Sequence, residues 1–389
     1  MSDKTKISLI ASSLSLIMIY AASSSPISYY SLYLSIQSIS KATLSYSVAS
    51  FFIGTMLAVL VLGRISDYYG RKIISVLSLI ISIIGCALFY FIDGSFIFLM
   101  GRFIQGLACG LAITNISSYI VDVSINKTSA SKITSTGSMF GLSLGTLSSG
   151  IFAEICLNDI SEIFLILIII LILCIILISI SEEPIQTRKL TVNAVKPSFK
   201  IPDNIKRLFI PTAPVFIASW ALCGFYQGFS SSIAFEIFNI DSTLITAIFF
   251  ASITVSQIFG SELIDNLGNT KSQKSGMIAF SIILVMTVAS LKLKLLIPFI
   301  ILTLFGGACI GLSFTSSVDS IISKVSQKDY GNAFSAIYFI SYAGIGVINI
   351  TVGQIANQYS LIQILIGYAI FTIISTLIVL STIGRVNYE

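Results

Sequence analysis

Runs of about 20 consecutive apolar residues recur along this 389-residue chain, and short polar loops separate them. A helix of that length crosses a hydrocarbon core of about 30 Å, because each helical residue adds about 1.5 Å. Only 10% of the residues are charged, whereas soluble domains carry about 25% charged residues. The pattern therefore predicts an all-α membrane protein and excludes a soluble globule.

The apolar runs predict twelve transmembrane helices. The first run continues to about residue 34, which is too long for the apolar core of a signal peptide, so we interpret it as a membrane helix. The twelve predicted spans lie near 7–34, 44–65, 72–92, 95–121, 131–156, 162–181, 208–236, 242–264, 274–291, 295–321, 331–355 and 360–383.

The basic residues are unevenly distributed among the predicted loops. If the N-terminus is cytoplasmic, 18 of the 22 basic residues fall on the cytoplasmic side, three fall on the other side, and Arg102 lies within the fourth helix. The positive-inside rule therefore predicts that both termini are cytoplasmic, and we expect the chain to reside in the plasma membrane. The 18 residues are Lys4, Lys6, Arg64, Arg71, Lys72, Lys127, Lys132, Arg188, Lys189, Lys196, Lys200, Lys206, Arg207, Lys271, Lys274, Lys324, Lys328 and Arg385.

The longest polar connection follows the sixth predicted helix. It divides the chain into an N-terminal six-helix bundle at 1–181, a cytoplasmic linker at 182–206 and a C-terminal six-helix bundle at 207–389. We expect these bundles to be pseudo-symmetric, because parts of the first half recur in the second.

The clearest recurrence follows the second and eighth helices. Asp67 and Gly70 reappear 198 positions later as Asp265 and Gly268. Parallel copies of a membrane-spanning unit are typical of secondary transporters, which bind substrate at the interface between repeats.

The stretch "GRISDYYGRK" connects the second and third predicted helices. Gly63 permits close approach to a neighbouring helix, and Gly70 permits the positive φ that a tight turn often needs. Asp67 can interact favourably with a helix N-terminus, and Arg71 and Lys72 can bind the anionic inner leaflet. We refer to residues 63–72 as the 2–3 hairpin.

The 2–3 hairpin resembles the signature G-x-x-x-D-x-x-G-R-[RK] of the major facilitator superfamily. The resemblance implies a fold of two six-helix bundles and transport by alternating access. It also implies that Asp67 and Arg71 help to lock the halves together in the outward-facing state. A basic loop that only sets the orientation of the chain is the alternative interpretation. The second copy has Asn269 and Thr270 where the signature has basic residues.

The fourth helix contains R-x-x-Q-G-x-x-x-G at Arg102, Gln105, Gly106 and Gly110. A charged side chain within a membrane span costs about 2.5–3.5 kcal/mol on insertion scales, so Arg102 is expected to face protein or water. The pattern resembles a fourth-helix motif of the same superfamily, which implies that Arg102 assists coupling between substrate and proton. The alternative is that Arg102 extends to the outer interface as an anchor.

The fifth helix carries glycines four positions apart at Gly137, Gly141 and Gly145. Such spacing forms a groove for close helix packing. It also resembles the glycine-rich fifth-helix motif of drug/proton antiporters, although Leu142 occupies a position where those proteins have proline.

Proton-coupled transport commonly uses a titratable side chain inside the membrane. Glu154, Glu236 and Asp319 each lie within about two turns of a predicted helix end, and Asp122 also lies near an inner end. Three alternatives remain: an end-placed carboxylate such as Glu154 couples the proton, the coupling ion is not a proton, or the protein is a uniporter.

Polar and aromatic side chains at the middle depth of the predicted helices are the candidates for a substrate cavity, with helix packing as the alternative role. Amides and hydroxyls with aromatic walls suit a neutral or amphipathic ligand. The candidates are Tyr20, Tyr29, Tyr30, Asn115, Trp220, Tyr226, Gln227, Gln257, Tyr338, Tyr342 and Asn349.

The chain has no histidine and no phosphate-binding loop for ATP, and no paired carboxylates lie deep in an apolar run, so we expect neither an enzyme nor an ATP-driven pump. We expect a monomer in the lipid bilayer that binds a small-molecule substrate, with a proton as one possible partner, and no cofactor, metal or nucleic acid. The main hypothesis is proton-linked efflux. The alternatives are an uptake permease or uniporter for a sugar, amino acid or organic acid, and a sensor that no longer transports.

Overall fold

The structure is a computed structural model that describes residues 3–36, 39–63, 65–124, 127–156, 161–185, 203–325 and 330–384. Within these ranges the chain is helical with no strand, and eleven helices are long and apolar enough to cross a membrane. A twelfth long helix, Lys127–Ile155, coincides with the more polar fifth predicted span. The prediction of an all-α membrane protein is confirmed.

We number the long helices in chain order. They are α1 Lys4–Leu34, α2 Lys41–Leu62, α3 Arg71–Tyr90, α4 Gly94–Val123, α5 Lys127–Ile155, α6 Glu162–Ile180, α7 Ile205–Ile237, α8 Thr243–Glu262, α9 Asn269–Lys292, α10 Leu296–Ile322, α11 Tyr330–Ile355 and α12 Leu361–Thr382.

Local sequence signals set some of these helix starts. α12 begins with a capping box, in which the Ser360 hydroxyl accepts from the backbone N–H of Gln363 and the Gln363 side chain accepts from the backbone N–H of Ser360. At α8, the Ser242 side chain accepts from the backbone N–H of Ile245.

The chain forms two compact units. Unit 1 contains residues 1–39 and 50–198, and unit 2 contains residues 40–49 and 199–389. The long helix α2 therefore contributes its first turns to unit 2 and its remaining turns to unit 1. Of the linker expected at 182–206, the structure describes 182–185 and 203–206.

Three long helices contain a π-helical segment, and α1 contains a 3-10 segment. The π segments are Ala58–Leu62 in α2, Ala112–Ile116 in α4 and Ile233–Ile237 in α7. The 3-10 segment, Ser25–Tyr29, has Pro26 in its first turn. Proline has no backbone N–H, so the regular hydrogen-bond ladder of α1 cannot continue through this point.

The two hairpins predicted to be copies have the same backbone geometry. Gly70 has φ 98° and ψ 151°, and Gly268 has φ 74° and ψ 157°. Each glycine follows a four-residue helix and precedes the first residue of α3 or α9. Glycine adopts this positive φ without steric cost, which explains its presence at both positions.

Helix packing repeats in the two units as well. In unit 1, Gly106 of α4 packs on the Phe51 carbonyl of α2, and in unit 2, Gly307 of α10 packs on the Ile253 carbonyl of α8. A Cβ atom at either glycine would overlap that carbonyl. Gly106 and Gly307 are 201 positions apart, which is close to the 198 positions between the two hairpins. The same close contact between two helices therefore occurs once in each unit.

Candidate functional site

The side chain of Arg71, in the 2–3 hairpin, bonds to the end of α4 and to another residue of the same hairpin. Its Nε donates to Asp122 Oδ2 at the end of α4 at 2.9 Å, and its Nη1 donates to Ser66 Oγ at 2.5 Å. The Arg71 and Asp122 side chains are 13% and 31% exposed, so water screens this ion pair less than a fully exposed one.

Glu183, which follows α6, caps the N-terminus of α3. Its Oε1 accepts from the backbone N–H of Arg71 and its Oε2 accepts from that of Lys72, each at 2.9 Å. Lys72 Nζ also donates to the Ser181 carbonyl at 3.1 Å. A carboxylate satisfies the otherwise free N–H groups at a helix start and interacts favourably with the helix dipole. The hairpin is thereby tied to the segment that leaves α6.

Sequence reasoning missed Glu183 and did not pair Asp122 with Arg71. A usable signal was present, because the acidic pair in "SEEP" follows α6 on the predicted cytoplasmic side, where the basic hairpin also lies. Sequence separation hid the contact, since Glu183 lies more than 110 positions after Arg71.

The remaining hairpin candidates are placed only in part. Asp67 belongs to the short helix Ser66–Tyr69, and Gly63 ends the π segment of α2. The side chains of Asp67 and Asp265 lie outside the described residues, so their gating role remains a prediction.

Arg102 of α4 is completely buried inside unit 1. Its Nη1 donates to the Ser23 carbonyl of α1 and to Gln105 Oε1, the latter at 2.8 Å. Gln105 Nε2 in turn donates to the Ala22 carbonyl at 2.9 Å. The ring of Phe51 covers the guanidinium, with 4.7 Å from the Arg102 Cζ atom to the ring centroid.

The break in α1 explains these contacts. In a regular helix the Ala22 carbonyl would accept from the backbone N–H of residue 26, but that residue is Pro26. The 3-10 turn that follows also shifts the hydrogen-bonding pattern away from the Ser23 carbonyl. Arg102 donates to the Ser23 carbonyl, and both Gln105 Nε2 and the Ser25 hydroxyl donate to the Ala22 carbonyl.

The burial of Arg102 bears on the interpretation of this residue as an anchor at the outer interface, and its coupling role stays a prediction. A side chain with no exposed surface does not reach the outer interface, so the anchoring role has no geometric support. Glu154, the other coupling candidate, is exposed near the end of α5.

The cavity candidates of unit 1 are mostly engaged in packing, and Tyr20 is also buried. Tyr29 donates to the Ser149 carbonyl at 2.9 Å, and Tyr30 packs edge-on against Phe98. Asn115 lies in the π segment of α4 and donates to the Leu111 carbonyl at 2.9 Å.

In unit 2, α7 and α11 bring three aromatic candidates together. Trp220 packs edge-on against Tyr342 with ring centroids 5.2 Å apart, and Tyr338 stacks on Tyr342 at 5.5 Å. Further along the same two helices, a side chain at Gly224 would meet Asn349. These residues therefore form one continuous strip.

The remaining candidates of unit 2 divide into two groups. Gln257 of α8 donates to Cys223 Sγ of α7 at 3.3 Å, and Gln227 is buried one turn further along α7. Tyr226, in contrast, bonds to Thr303 of α10 at 2.9 Å. The structure thus separates Tyr226 from the aromatic strip.

Two helical units with repeated hairpins define a membrane transporter of the two-bundle class, not an enzyme. A family model described as Major Facilitator Superfamily matches residues 12–349. The chain belongs to this superfamily of integral membrane transporters.

A solved structure titled "Crystal structure of D-xylose-proton symporter" is similar to this chain over 99% of its length and 98% of the other chain. The TM-score is 0.79 and the sequence identity is 14%, so the similarity concerns the fold. A search of curated proteins gives no significant match.

Proposed function

We propose that this protein moves a small polar solute into the cell by alternating access, with both termini cytoplasmic and the chain in the plasma membrane. The observation that supports this proposal is the hydrogen-bonded network of Arg71, Asp122 and Glu183. Two separate parts of unit 1, the end of α4 and the segment after α6, bind the start of α3 through charged side chains. Such a network can be made in one transport state and broken in another, because each contact depends on the position of a helix end.

The fold similarity to a D-xylose-proton symporter, which covers 99% of this chain, favours uptake over efflux. Proton-linked drug efflux is the second candidate. The R-x-x-Q-G pattern at Arg102 and the glycines of α5 support it, whereas Leu142 weakens it because a proline is expected there.

Proton-coupled transport commonly uses an acidic side chain buried inside the membrane. No aspartate or glutamate in the part of the chain that the structure describes is buried, and Glu154 is exposed. This supports a uniporter or coupling through an end-placed carboxylate, which a flux measurement distinguishes.

The decisive experiment is uptake into proteoliposomes with and without an imposed pH gradient. The panel contains sugars, amino acids, organic acids and lipophilic cations. Accumulation of a polar solute supports the proposal, and dependence on the gradient assigns proton coupling. Export of lipophilic cations alone would favour the second candidate, and no flux of any solute would favour a sensor.

Substituting Glu183→Gln is expected to reduce the transport rate about five-fold while leaving membrane insertion unchanged. The amide keeps the size of the side chain but loses the charge that stabilises the start of α3, an effect of about 1 kcal/mol. Initial rates in proteoliposomes measure the effect. The matched control is Glu182→Gln, which removes a neighbouring exposed charge. Equal rates for the two variants would contradict a role for the Glu183 cap.

A further inference from the structure

One edge of the Arg102 guanidinium has no hydrogen-bond partner among the residues that the structure describes. Both hydrogens of Nη1 are used, by the Ser23 carbonyl and by Gln105. The Nε and Nη2 atoms are buried and make no hydrogen bond. Buried polar groups are nearly always hydrogen-bonded, and an unpaired charged donor is among the most costly exceptions.

The free edge has the geometry that a carboxylate requires. The Nε–H and one Nη2–H of a guanidinium lie parallel and in one plane, so they can donate together to the two oxygens of one carboxylate. The protein holds this edge in place, because Nη1 is bound to α1 and Gln105 is itself bound to the Ala22 carbonyl. A preorganised donor pair loses less conformational entropy when it binds a ligand.

The protein supplies no carboxylate to this edge from the residues that the structure describes, since none of their acidic side chains is buried. Arg102 is also the only basic residue among them that is buried. A single positive charge with aromatic neighbours matches a monoanion better than a dianion, which would leave one negative charge unpaired at depth.

We propose that the Nε–Nη2 edge of Arg102 binds the carboxylate of a small organic monoanion, and that this anion is the transported solute. The assignment rests on the proposed transport function and selects the organic acid among its possible solutes. The edge has no exposed surface in this conformation. Entry of the anion therefore requires the wall that includes Phe51 to move, as alternating access provides.

Thermal unfolding of the purified full-length protein with lactate, with its uncharged analogue lactamide and with xylose tests the assignment at neutral pH. Lactate is expected to raise the melting temperature in a saturable manner, because a ligand that binds only the folded state stabilises it. Lactamide and xylose are expected to have no such effect. Stabilisation by xylose with none by lactate would overturn the proposal.

Variants at the site complete the test. Arg102→Lys keeps the positive charge but lacks the two parallel N–H donors of the guanidinium, and we expect the affinity for lactate to fall at least ten-fold. Gln105→Glu places a negative charge beside Nη1 and is expected to lower the affinity for lactate to a similar degree. This variant provides a second readout if an Arg102 variant does not fold. Lys292→Gln removes an exposed positive charge and serves as the control.

The two proposals fail in different ways. If lactate affinity is unchanged in Arg102→Lys and Gln105→Glu, the lactate effect is nonspecific and the Arg102 site is wrong. Transport of a sugar by proteoliposomes would then leave the proposed function standing. If lactate binds through Arg102 but no solute crosses the membrane, the anion site stands and the transport function is wrong.

Discussion

Cross-linking the variant Lys41→Cys/Glu236→Cys with a short bis-maleimide is expected to reduce transport to near background. In the native chain Lys41 Nζ lies 2.7 Å from Glu236 Oε2 and forms an ion pair with it. This pair connects the start of α2 to the end of α7 within unit 2. A covalent link at the same place would make that connection permanent.

The expected loss follows from the position of α2 in both units. Residues 40–49 group with unit 2, and the rest of the helix groups with unit 1. A continuous helix cannot follow two bodies that move relative to each other, so alternating access requires its contacts with one of them to break. Those contacts include the bond from Ser45 Oγ to the Asn349 carbonyl at 2.7 Å.

The controls separate the link from its component substitutions. The double variant without reagent is expected to transport, because an exposed ion pair is worth only about 0–1 kcal/mol. Each single cysteine variant with reagent is expected to transport as well, and all variants are made without the six native cysteines. Full transport after complete cross-linking would show that α2 does not need to release unit 2.

Gly145→Ala is expected to lower the melting temperature of the protein more than any other single methyl addition considered for α5. A Cβ atom at Gly145 would overlap the Ala21 carbonyl and Ser24 Oγ of α1. The two helices would have to separate, and overpacking of this kind costs about 1–3 kcal/mol or more. The control is Gly367→Ala in α12, where nothing lies within 4 Å of the added atom.

Thermal unfolding in detergent compares the two glycine variants. Gly367→Ala is expected to be neutral or slightly stabilising, because alanine favours the helix. Equal melting temperatures would show that α1 and α5 can move apart at little cost. The glycines at Gly137 and Gly141 give a graded series, since a Cβ at Gly137 would make only ordinary contacts with α1, the nearest at 3.5 Å.

The architecture followed from features that are local in sequence. Each apolar run forms its helix without help from distant residues, because a lipid environment requires the backbone to satisfy its own hydrogen bonds. The hairpin turns could also be predicted, since the positive φ at Gly70 and Gly268 requires only that the residue at that position is glycine. The twelve spans and their two-fold repetition could therefore be predicted from the chain alone.

The candidate site was predicted less completely, because its contacts join residues far apart in sequence. Arg102 was recognised as unusual, but its partner outside α4 is a backbone carbonyl of α1, and carbonyls carry no sequence signal. Pro26 was the sequence signal for the break in α1, because proline cannot donate a backbone hydrogen bond to the Ala22 carbonyl. Glu183 was missed for a similar reason, because its hydrogen-bond donors are backbone N–H groups of α3.

The sequence by itself determined the membrane location, the number of helices and the repeated hairpin, since hydrophobic length and glycine conformation are properties of short segments. Only the tertiary structure decided which edge of Arg102 stays unpaired and which unit holds the start of α2. Those outcomes depend on how helices pack, and packing is set by the summed contacts of many side chains from distant parts of the chain.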